Sequence, residues 1–289
     1  MSIITTNLSY TYLLNTPLET KALDSVSLTF ENGEYIGIMG NTGCGKSTLI
    51  QLLAGLLIPS SGNVFLNGDD INDKKYRREE LHKKVGILFQ YPEYQLFETT
   101  VEKDVAFALN HSGLSKSEVT QNVRRALETV GFDYEKVKFL SPLGLSGGEK
   151  RRVAIAGVLA QNPEVLILDE PIAGLDPLGR KAFLELTDSL NKRGVTIIMV
   201  SHNADALAEH AKRILILENG QLIMDGLTKD VFKNTNALRK KNIGISQARD
   251  VADNLCNRGF KIIPGDIVKY DELISSILRT VNENGGLNQ

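Results

Sequence analysis

The stretch from Gly40 to Ser47 constrains the fold of this chain more than any other part of its sequence. It reads Gly-Asn-Thr-Gly-Cys-Gly-Lys-Ser and fits the pattern G-x-x-x-x-G-K-[ST]. A short apolar run at residues 35–39 precedes it, which is typical of a buried strand, and leucines with helical spacing follow it at residues 49–56. The sequence therefore predicts a strand, a glycine-rich loop and a helix in succession, which is the context in which this pattern binds phosphate.

The chemistry of the loop indicates a nucleotide. Gly43 and Gly45 lack a Cβ, so the backbone N–H groups can turn toward a phosphate. The N-terminus of the following helix adds N–H donors and a partial positive charge. Lys46 is expected to reach the β- and γ-phosphates, and the Ser47 hydroxyl is expected to ligate Mg²⁺. Because a thiolate is favoured at a helix N-terminus, Cys44 is expected to react with maleimide and to be protected by bound nucleotide.

The composition narrows the class of protein. Of 289 residues, 42% are hydrophobic and the formal net charge is −2, so the chain can bury a large core and has no strong attraction to nucleic acid. No apolar run reaches the roughly 18 residues that a membrane-spanning helix needs, so any membrane role is expected to come through partners. Cys44 and Cys256 form no disulfide framework, which indicates a reducing compartment.

Polar side chains follow three apolar runs that read as strands of a parallel sheet. Gln90 ends the run at residues 85–89, the pair Asp169 and Glu170 ends the run at 165–168, and His202 follows the run at 195–200. The carboxyl ends of parallel strands meet at the edge where ligands bind. Asp169 therefore suits Mg²⁺ and Glu170 suits the attacking water. For Gln90 and His202, taken singly, a loop glutamine and an ordinary surface histidine are the alternatives.

The segment Ser146-Gly147-Gly148-Glu149 precedes a predicted helix and can form a capping box from Ser146 and Glu149. That cap explains the serine and the glutamate but not the two glycines, which are costly in a first helical turn. Backbone N–H groups at a helix N-terminus can bind an anion, so the segment predicts a second site that contacts the nucleotide. Asp176, before Pro177, is explained equally well as a helix N-cap.

In order along the chain, these motifs resemble the full motif set of ABC ATPases, over about residues 3–226. The matching positions are a base-stacking aromatic at Tyr12, Walker A from Gly40 to Ser47, the Q-loop at Gln90, the signature from Leu145 to Glu149, Walker B from Val165 to Glu170, the D-loop at Asp176 and the H-loop at His202. For Tyr12 alone, an ordinary core tyrosine is the alternative. The signature departs from the family pattern at Glu149, where glutamine is usual, although glutamate can still complete the capping box.

The resemblance implies a fold. It is α/β, with a P-loop NTPase core of ABC type made of a mainly parallel sheet and an antiparallel β subdomain. An α-helical subdomain, at about residues 91–162, is inserted into this core, which is expected to span residues 1–226. Asn219-Gly220 predicts the two-residue turn of a hairpin from Ile214 to Met224. Two amphipathic patterns follow in residues 227–289, and Ser246 is the expected cap of the first helix. The resemblance implies a C-terminal helical appendage there that holds a dimer together.

The resemblance also implies the cofactors and their residues. ATP and Mg²⁺ are the expected cofactors, and hydrolysis is expected to be coupled to transport. Mg²⁺ is assigned to Ser47, Gln90 and Asp169, and catalysis to Glu170, His202 and Gln90. ATP is assigned to Tyr12, Gly40, Asn41, Thr42, Gly43, Cys44, Gly45, Lys46, Ser47 and Thr48. The ATP of a partner subunit is assigned to Ser146, Gly147, Gly148, Glu149 and Asp176.

A narrower resemblance points to one branch of the family. The segments Tyr91–Glu98, Ser141-Pro142, Arg151–Ala160 and Ala173–Pro177 are similar to the ATPase components of energy-coupling factor (ECF) transporters, which import vitamins or cobalt and nickel ions in bacteria and archaea. The implied partners are a second cassette, identical or paralogous, an integral membrane coupling subunit and a substrate-binding membrane subunit, with no nucleic acid. The implied location is peripheral, on the cytoplasmic face of a prokaryotic cell membrane. One alternative is the ATPase subunit of a conventional ABC nutrient importer. A soluble ABC ATPase is a second alternative, but such proteins typically have tandem cassettes or a long coiled coil, and this sequence has neither.

Overall fold

The strand, loop and helix predicted around Gly40 are present in the computed structural model, which describes residues 2–110 and 112–285. The strands are β1 (Ile3–Tyr12), β2 (Thr20–Phe30), β3 (Tyr35–Met39), β4 (Ser61–Leu66), β5 (Asp69–Asp70), β6 (Val85–Leu88), β7 (Val165–Asp169), β8 (Thr196–Val200), β9 (Arg213–Glu218) and β10 (Gln221–Leu227). The helices are α1 (Lys46–Leu53), α2 (Arg78–Lys84), α3 (Val101–Ala106), α4 (Lys116–Thr129), α5 (Tyr134–Val137), α6 (Gly147–Leu159), α7 (Pro177–Lys192), α8 (Ala204–His210), α9 (Thr228–Lys233), α10 (Thr235–Lys240), α11 (Gln247–Asn257) and α12 (Tyr270–Gly285). This mixture of strands and helices confirms the α/β class.

The chain divides into two compact units, each built from two segments. The first unit contains residues 1–34 and 47–200, and the second contains residues 35–46 and 201–289. The strand β3 and the loop that follows it therefore belong to the same unit as the C-terminal helices. No helix within residues 2–110 and 112–285 is long and apolar enough to cross a membrane.

The first unit contains an antiparallel sheet and a set of parallel strands. The antiparallel sheet has the order β2-β1-β4-β5. The strands β6, β7 and β8 run parallel, with Leu88 paired to Leu168 and Asp169 paired to Val200. Because the registers match, the carboxyl ends of these three strands lie at one edge. β7 is a continuous buried run from Val165 to Leu168, as expected for a strand covered on both faces.

Helices of the first unit begin where the sequence places their caps. The side chain of Ser115 accepts a hydrogen bond from the backbone N–H of Glu118 and completes a capping box at the start of α4. This helix ends before Gly131, whose φ of +84° suits the position after a helix. Asp176 caps α7, with Pro177 as its first residue. Ser115 and Gly131 thus set where α4 begins and ends in the helical insertion between β6 and β7, and Asp176 sets the start of α7 after β7.

The second unit joins β3 to β9 in parallel and β9 to β10 in an antiparallel hairpin. The hairpin turns at Asn219 and Gly220, which both have positive φ angles, of +48° and +77°. A two-residue turn of this kind matches the twist of the flanking strands, and Asn-Gly is its preferred sequence. The predicted hairpin is therefore confirmed.

The C-terminal helices form a small core of their own within the second unit. Ser246 caps α11, as predicted, and apolar side chains from α11, α12 and the intervening segment pack together, namely Ala248, Ala252, Ile262, Ile267 and Leu273. Leu255 and Ile277 pack against this cluster. An adjacent face of α12 carries an exposed apolar stripe of Ile274, Leu278 and Val281. The two amphipathic patterns in the sequence therefore correspond to helices that each bury an apolar face, and α12 also exposes an apolar stripe.

Candidate nucleotide-binding site

The glycine-rich loop turns sharply at the end of β3. Gly40 has a φ of +147°, and a Cβ built on it would lie 2.2 Å from the carbonyl oxygen of Leu217 in β9. No other residue fits that position without displacing backbone. Gly43 and Gly45 also have left-handed φ angles, of +79° and +105°. The glycines that the sequence singles out are therefore required by the path of the loop.

The side chain of Lys46 closes the loop from inside. Its Nζ donates to the carbonyl oxygens of Gly40, at 2.7 Å, and Asn41, at 2.9 Å. The lysine is buried, and α1 begins at this residue. A cation held in this position lies at the start of the helix, where the backbone N–H groups of its first turn have no partner within the helix.

The structure contradicts the expectation that Cys44 is accessible to reagents. The side chain is only 4% exposed and points under the loop, where its Sγ lies 3.7 Å from Nζ of Lys46. A Cβ on Gly40 would come within 2.6 Å of this sulfur, so the thiol fills the space that the glycine leaves. Position in the sequence identified the helix N-terminus but not the inward direction of the side chain.

Ser47, Thr48 and Tyr12 belong to the first unit. The phenolic oxygen of Tyr12 lies 3.1 Å from the hydroxyl oxygen of Thr48, and its ring meets Tyr10 edge to face at 4.7 Å. Tyr12 is partly exposed and is therefore not a core residue. Ser47 is exposed in the first turn of α1. The structure thus joins the predicted base-stacking residue to the helix that starts at the phosphate loop.

The strand ends of the first unit bring Gln90, Asp169 and Glu170 to one edge. Asp169 is the last residue of β7, and Gln90 lies two residues beyond β6. Glu170 leaves the strand with a left-handed φ of +46°, and its backbone N–H donates to the carbonyl of Val200 at 3.0 Å. A left-handed glutamate is uncommon and costs about 1–3 kcal/mol. The chain therefore holds Glu170 in a strained conformation at the point where the sequence places the catalytic carboxylate.

His202 is placed within the second unit, two residues beyond β8. The backbone N–H of Ser201 donates to the carbonyl of Ile38 in β3 at 3.2 Å. This bond sets His202 beside the strand that leads into the glycine-rich loop. The histidine is exposed, and Asn203 caps the following helix α8. His202 therefore follows a residue that is bonded to β3, and its contact with the γ-phosphate stays a prediction.

The predicted capping box at the start of α6 is present. The backbone N–H of Glu149 donates to the Ser146 hydroxyl at 3.4 Å, and the backbone N–H and hydroxyl of Ser146 donate to the Glu149 carboxylate at 2.9 Å and 2.7 Å. Hydrogen bonds from the Ser146 hydroxyl and then its backbone N–H lower the pKa of Glu149, so the carboxylate stays ionised at neutral pH. Glutamate therefore completes the box at the position where the family usually has glutamine.

Gly147 and Gly148 have no steric role within the described chain. Both are exposed, neither has a positive φ, and a Cβ built on either meets no atom within 4 Å. Glycine in a helix costs about 0.5–1 kcal/mol relative to alanine. Asp176, which caps α7 through a 2.6 Å bond from Gly179, is also exposed. The glycine pair is thus a cost that nothing inside the described chain explains.

Sequence reasoning gave Arg151 no individual role, although it joins three elements of the first unit. Its guanidinium donates to the carbonyls of Pro171 and of Ala173, the latter at 2.9 Å, and lies 3.9 Å from the carboxylate of Glu93. Burial lowers the pKa of Arg151, and the Glu93 carboxylate opposes that effect. The sequence hints at this burial through spacing alone. Arg151 lies four residues before Ile155, so both are on one face of α6, and both are buried.

Comparison with known proteins agrees with this geometry. A family model described as ABC transporter matches residues 23–173. The chain is 45% identical over 285 residues to the energy-coupling factor transporter ATP-binding protein EcfA2 of Clostridium perfringens, covering 98% of this chain and all of that protein. The chain belongs to the ABC transporter family. It is therefore an ABC ATPase, which binds ATP with Mg²⁺ and hydrolyses it, and the expected fold is confirmed.

Two solved structures have the same fold. The structure of cbiO1 from Clostridium perfringens, part of the ABC transporter complex cbiONQ, superposes with a TM-score of 0.71 at 36% identity, covering 83% of this chain and 94% of that one. The ATP-binding cassette MJ0796, a dimer in a post-hydrolysis state bound to ADP and Pi, superposes with a TM-score of 0.68 at 28% identity, covering 78% and 98%. The similarity to this ABC cassette extends over nearly all of its length.

The residues present fit ATP and Mg²⁺. The loop from Gly40 to Lys46 has a backbone path that only glycine permits at its first residue, and it ends on a buried cation. Oxygen ligands of the kind that Mg²⁺ prefers are available from Ser47, Gln90 and Asp169 in the first unit. Within the described residues no three His, Cys, Asp or Glu side chains converge as a metal cage. Mg²⁺ bound through phosphates and one or two side chains needs no such cage.

Thiol titration tests the burial of Cys44. In the native protein, a thiol reagent should modify Cys256, which is exposed, rapidly and Cys44 slowly, whereas both should react in guanidinium chloride. In a Cys256→Ser variant the native protein should show no fast thiol. Rapid modification of Cys44 in that variant, without nucleotide, would contradict the inward position of its side chain.

Proposed function

We propose that this chain is the ATP-hydrolysing subunit of an ECF-type importer of vitamins or of transition-metal ions such as cobalt or nickel. The observation that carries the proposal is the length of the similarity to EcfA2. The ABC transporter model matches residues 23–173, whereas the match to EcfA2 covers 98% of the chain and so extends into the C-terminal helices. A conventional ABC importer subunit is the alternative, and a soluble ABC ATPase is a more distant one.

In this function Lys46 and the loop N–H groups bind the β- and γ-phosphates of ATP. Lys46 is already desolvated, so its charge is worth more than it would be in water. Ser47, Gln90 and Asp169 would hold Mg²⁺, which would neutralise the negative charge of the phosphates. Tyr12, tied to α1 through Thr48, stacks on the base.

The hydrolytic step depends on Glu170. Its left-handed backbone turns the side chain out of the β7 alternation that Asp169 completes, which supports separate roles for the two acids. Glu170 orients or deprotonates the attacking water, and His202 contacts the γ-phosphate. Gln90, at the same edge as Glu170, senses that phosphate.

A second cassette completes the site. Gly147 and Gly148 leave the N–H groups at the start of α6 open to a ligand from outside, since a Cβ at either position would meet no atom of this chain. Head-to-tail pairing would bring the ATP of the partner under Ser146, Gly147 and Gly148, with Asp176 nearby. The exposed apolar stripe on α12 supports the assignment of residues 227–289 to dimerisation, beside an ATPase domain of residues 1–226.

An aromatic surface in the helical insertion of the first unit suits a membrane subunit. Tyr94 is 84% exposed, and Phe97, Phe107 and Phe139 are also exposed. Phe97 and Phe107 contact each other edge to face, and Asp104 fixes the loop by accepting hydrogen bonds from the backbone N–H groups of Phe97 and Glu98. The proposed occupants are cytoplasmic helices of the integral coupling subunit, which would keep this chain peripheral at the cytoplasmic face of the membrane.

Replacing Glu170 by glutamine tests the catalytic assignment. Glu170→Gln should bind ATP as the wild type does but lose turnover by about 10²–10⁴-fold, or roughly 3–5 kcal/mol of barrier. Equilibrium binding of a fluorescent ATP analogue and steady-state hydrolysis measure the two effects. Hydrolysis at the wild-type rate would exclude Glu170 as the base.

Two glycines of one helix offer a matched pair of variants for the second cassette. A Cβ meets no atom within 4 Å at Gly148 or at Gly157, so alanine at either position should keep or slightly raise the unfolding temperature. Gly148→Ala should nevertheless lower ATP hydrolysis about 10–100-fold, because its methyl group blocks the approach of the partner's phosphate. Gly157→Ala should hydrolyse ATP normally. Equal activities of the two variants would contradict the role of the glycine pair.

Co-purification tests the transport function. The tagged chain, extracted from its native membrane in mild detergent, should bring down an integral coupling subunit and a substrate-binding membrane subunit. A Tyr94→Ser/Phe97→Ser variant should lose both proteins while still binding ATP. Leu18→Ser, at an equally exposed apolar residue outside the aromatic surface, should retain them. Recovery of ribosomes or DNA instead of membrane proteins would favour a soluble ABC ATPase.

A further inference from the structure

The C-terminal region contacts the phosphate-binding loop within the second unit. Nδ2 of Asn41 donates to the carbonyl oxygen of Lys241, the residue after α10, at 2.9 Å. The ammonium of Lys241 forms an ion pair with Glu218, the last residue of β9. On the other side of the loop, the backbone N–H of Gly220 donates to the carbonyl of Cys44 at 3.0 Å. The loop is therefore held from outside at Asn41 and at Cys44.

The segment that carries this contact, residues 241–247, also reaches the helix that follows His202. The backbone N–H of Gln247 donates to the Asp205 carboxylate at 2.7 Å. Further along the chain, the ammonium of Lys269 donates to the carbonyl of Glu209 at 2.7 Å. Both contacts are made to α8, and the bond from Gln247 anchors the 241–247 segment at its C-terminal end.

Asn41 joins the inside of the loop to the outside. Its carbonyl oxygen accepts a hydrogen bond from Lys46 at 2.9 Å, and its side chain donates to Lys241. A phosphate loop binds only when its N–H groups converge, and fixing its backbone costs conformational entropy. Contacts that fix the loop before binding remove part of that cost from the binding step.

We propose that the 241–247 segment positions the phosphate-binding loop for ATP. Lys241 and Glu218 are positioning residues, which act through Asn41 and do not touch the nucleotide themselves. This gives the C-terminal region a role in ATP affinity that is separate from dimerisation. The proposal rests on the ATP binding of the family and is independent of the transported substrate.

The first test uses Lys241→Met in the purified assembly that contains the full chain. The variant keeps the length of the side chain but removes the ion pair with Glu218. We expect the KM for ATP to rise about three- to tenfold, the equivalent of one hydrogen bond, with kcat unchanged. A pre-ordered loop binds the ground state and the transition state equally, so only KM changes.

The matched control is Lys233→Met on the neighbouring helix α9, where Lys233 pairs with Asp230. It should leave both constants unchanged. A purely structural role for Lys241 would instead reduce the active fraction, which lowers apparent kcat at constant KM, and that result would overturn the proposal. Loss of ATP hydrolysis by the wild-type assembly would instead count against the family activity.

A double-variant cycle tests whether Lys241 acts through Asn41. The ion pair of Lys241 with Glu218 is proposed to hold the backbone carbonyl to which Asn41 donates. Asn41→Ala combined with Lys241→Met should therefore raise KM no more than the larger single effect. If the KM of the double variant instead rose by the product of the two single fold-changes, the proposed action of Lys241 through Asn41 would be overturned. Hydrogen exchange gives an independent readout, since ATP with Mg²⁺ should slow exchange at residues 241–247 in the wild type but not in Lys241→Met.

Discussion

The bond network around the ammonium of Lys46 is the constraint on which the rest of the structure depends. The ammonium donates to the carbonyls of Gly40 and Asn41. The loop can take this path only because Gly40 has no Cβ, which would lie 2.2 Å from the carbonyl oxygen of Leu217. β9 and its hairpin form the surface against which the loop turns. β9, its hairpin and the C-terminal segment of the second unit thus support the glycine-rich loop from outside.

Features that cost stability within this chain occur at residues that we assign to catalysis or to a second cassette. Glu170 keeps a left-handed backbone, and Gly147 and Gly148 weaken the first turn of α6, although the space around them is open to larger residues. Structures retain such costs at functional sites more often than elsewhere. In this ATPase they coincide with the predicted catalytic acid and with the surface that we assign to the ATP of a partner.

Local chemistry explains what could be predicted from the sequence. Caps at Ser146, Asp176 and Ser246 and the Asn219–Gly220 turn depend on residues a few positions apart, and each is confirmed. The bond from Asn41 to Lys241 spans 200 residues, and no pattern in the sequence signals it. The inward rotamer of Cys44 and the carbonyl contacts of Arg151 likewise depend on packing between distant segments. Periodicity therefore predicted the strand ends but not the contacts that fix them.

The central claim is that one triphosphate is bound jointly by the glycine-rich loop of one cassette and the Ser146–Glu149 segment of its mate. The most direct measurement is photo-cross-linking with ATP that carries a photoreactive group on its γ-phosphate. A tagged Lys46→Ala copy, which has lost its own phosphate grip, is mixed with the cassette that pairs with it. The account predicts that the label is found by mass spectrometry on the Ser146–Glu149 peptide of the tagged copy. Label confined to the cassette with the intact loop would contradict it.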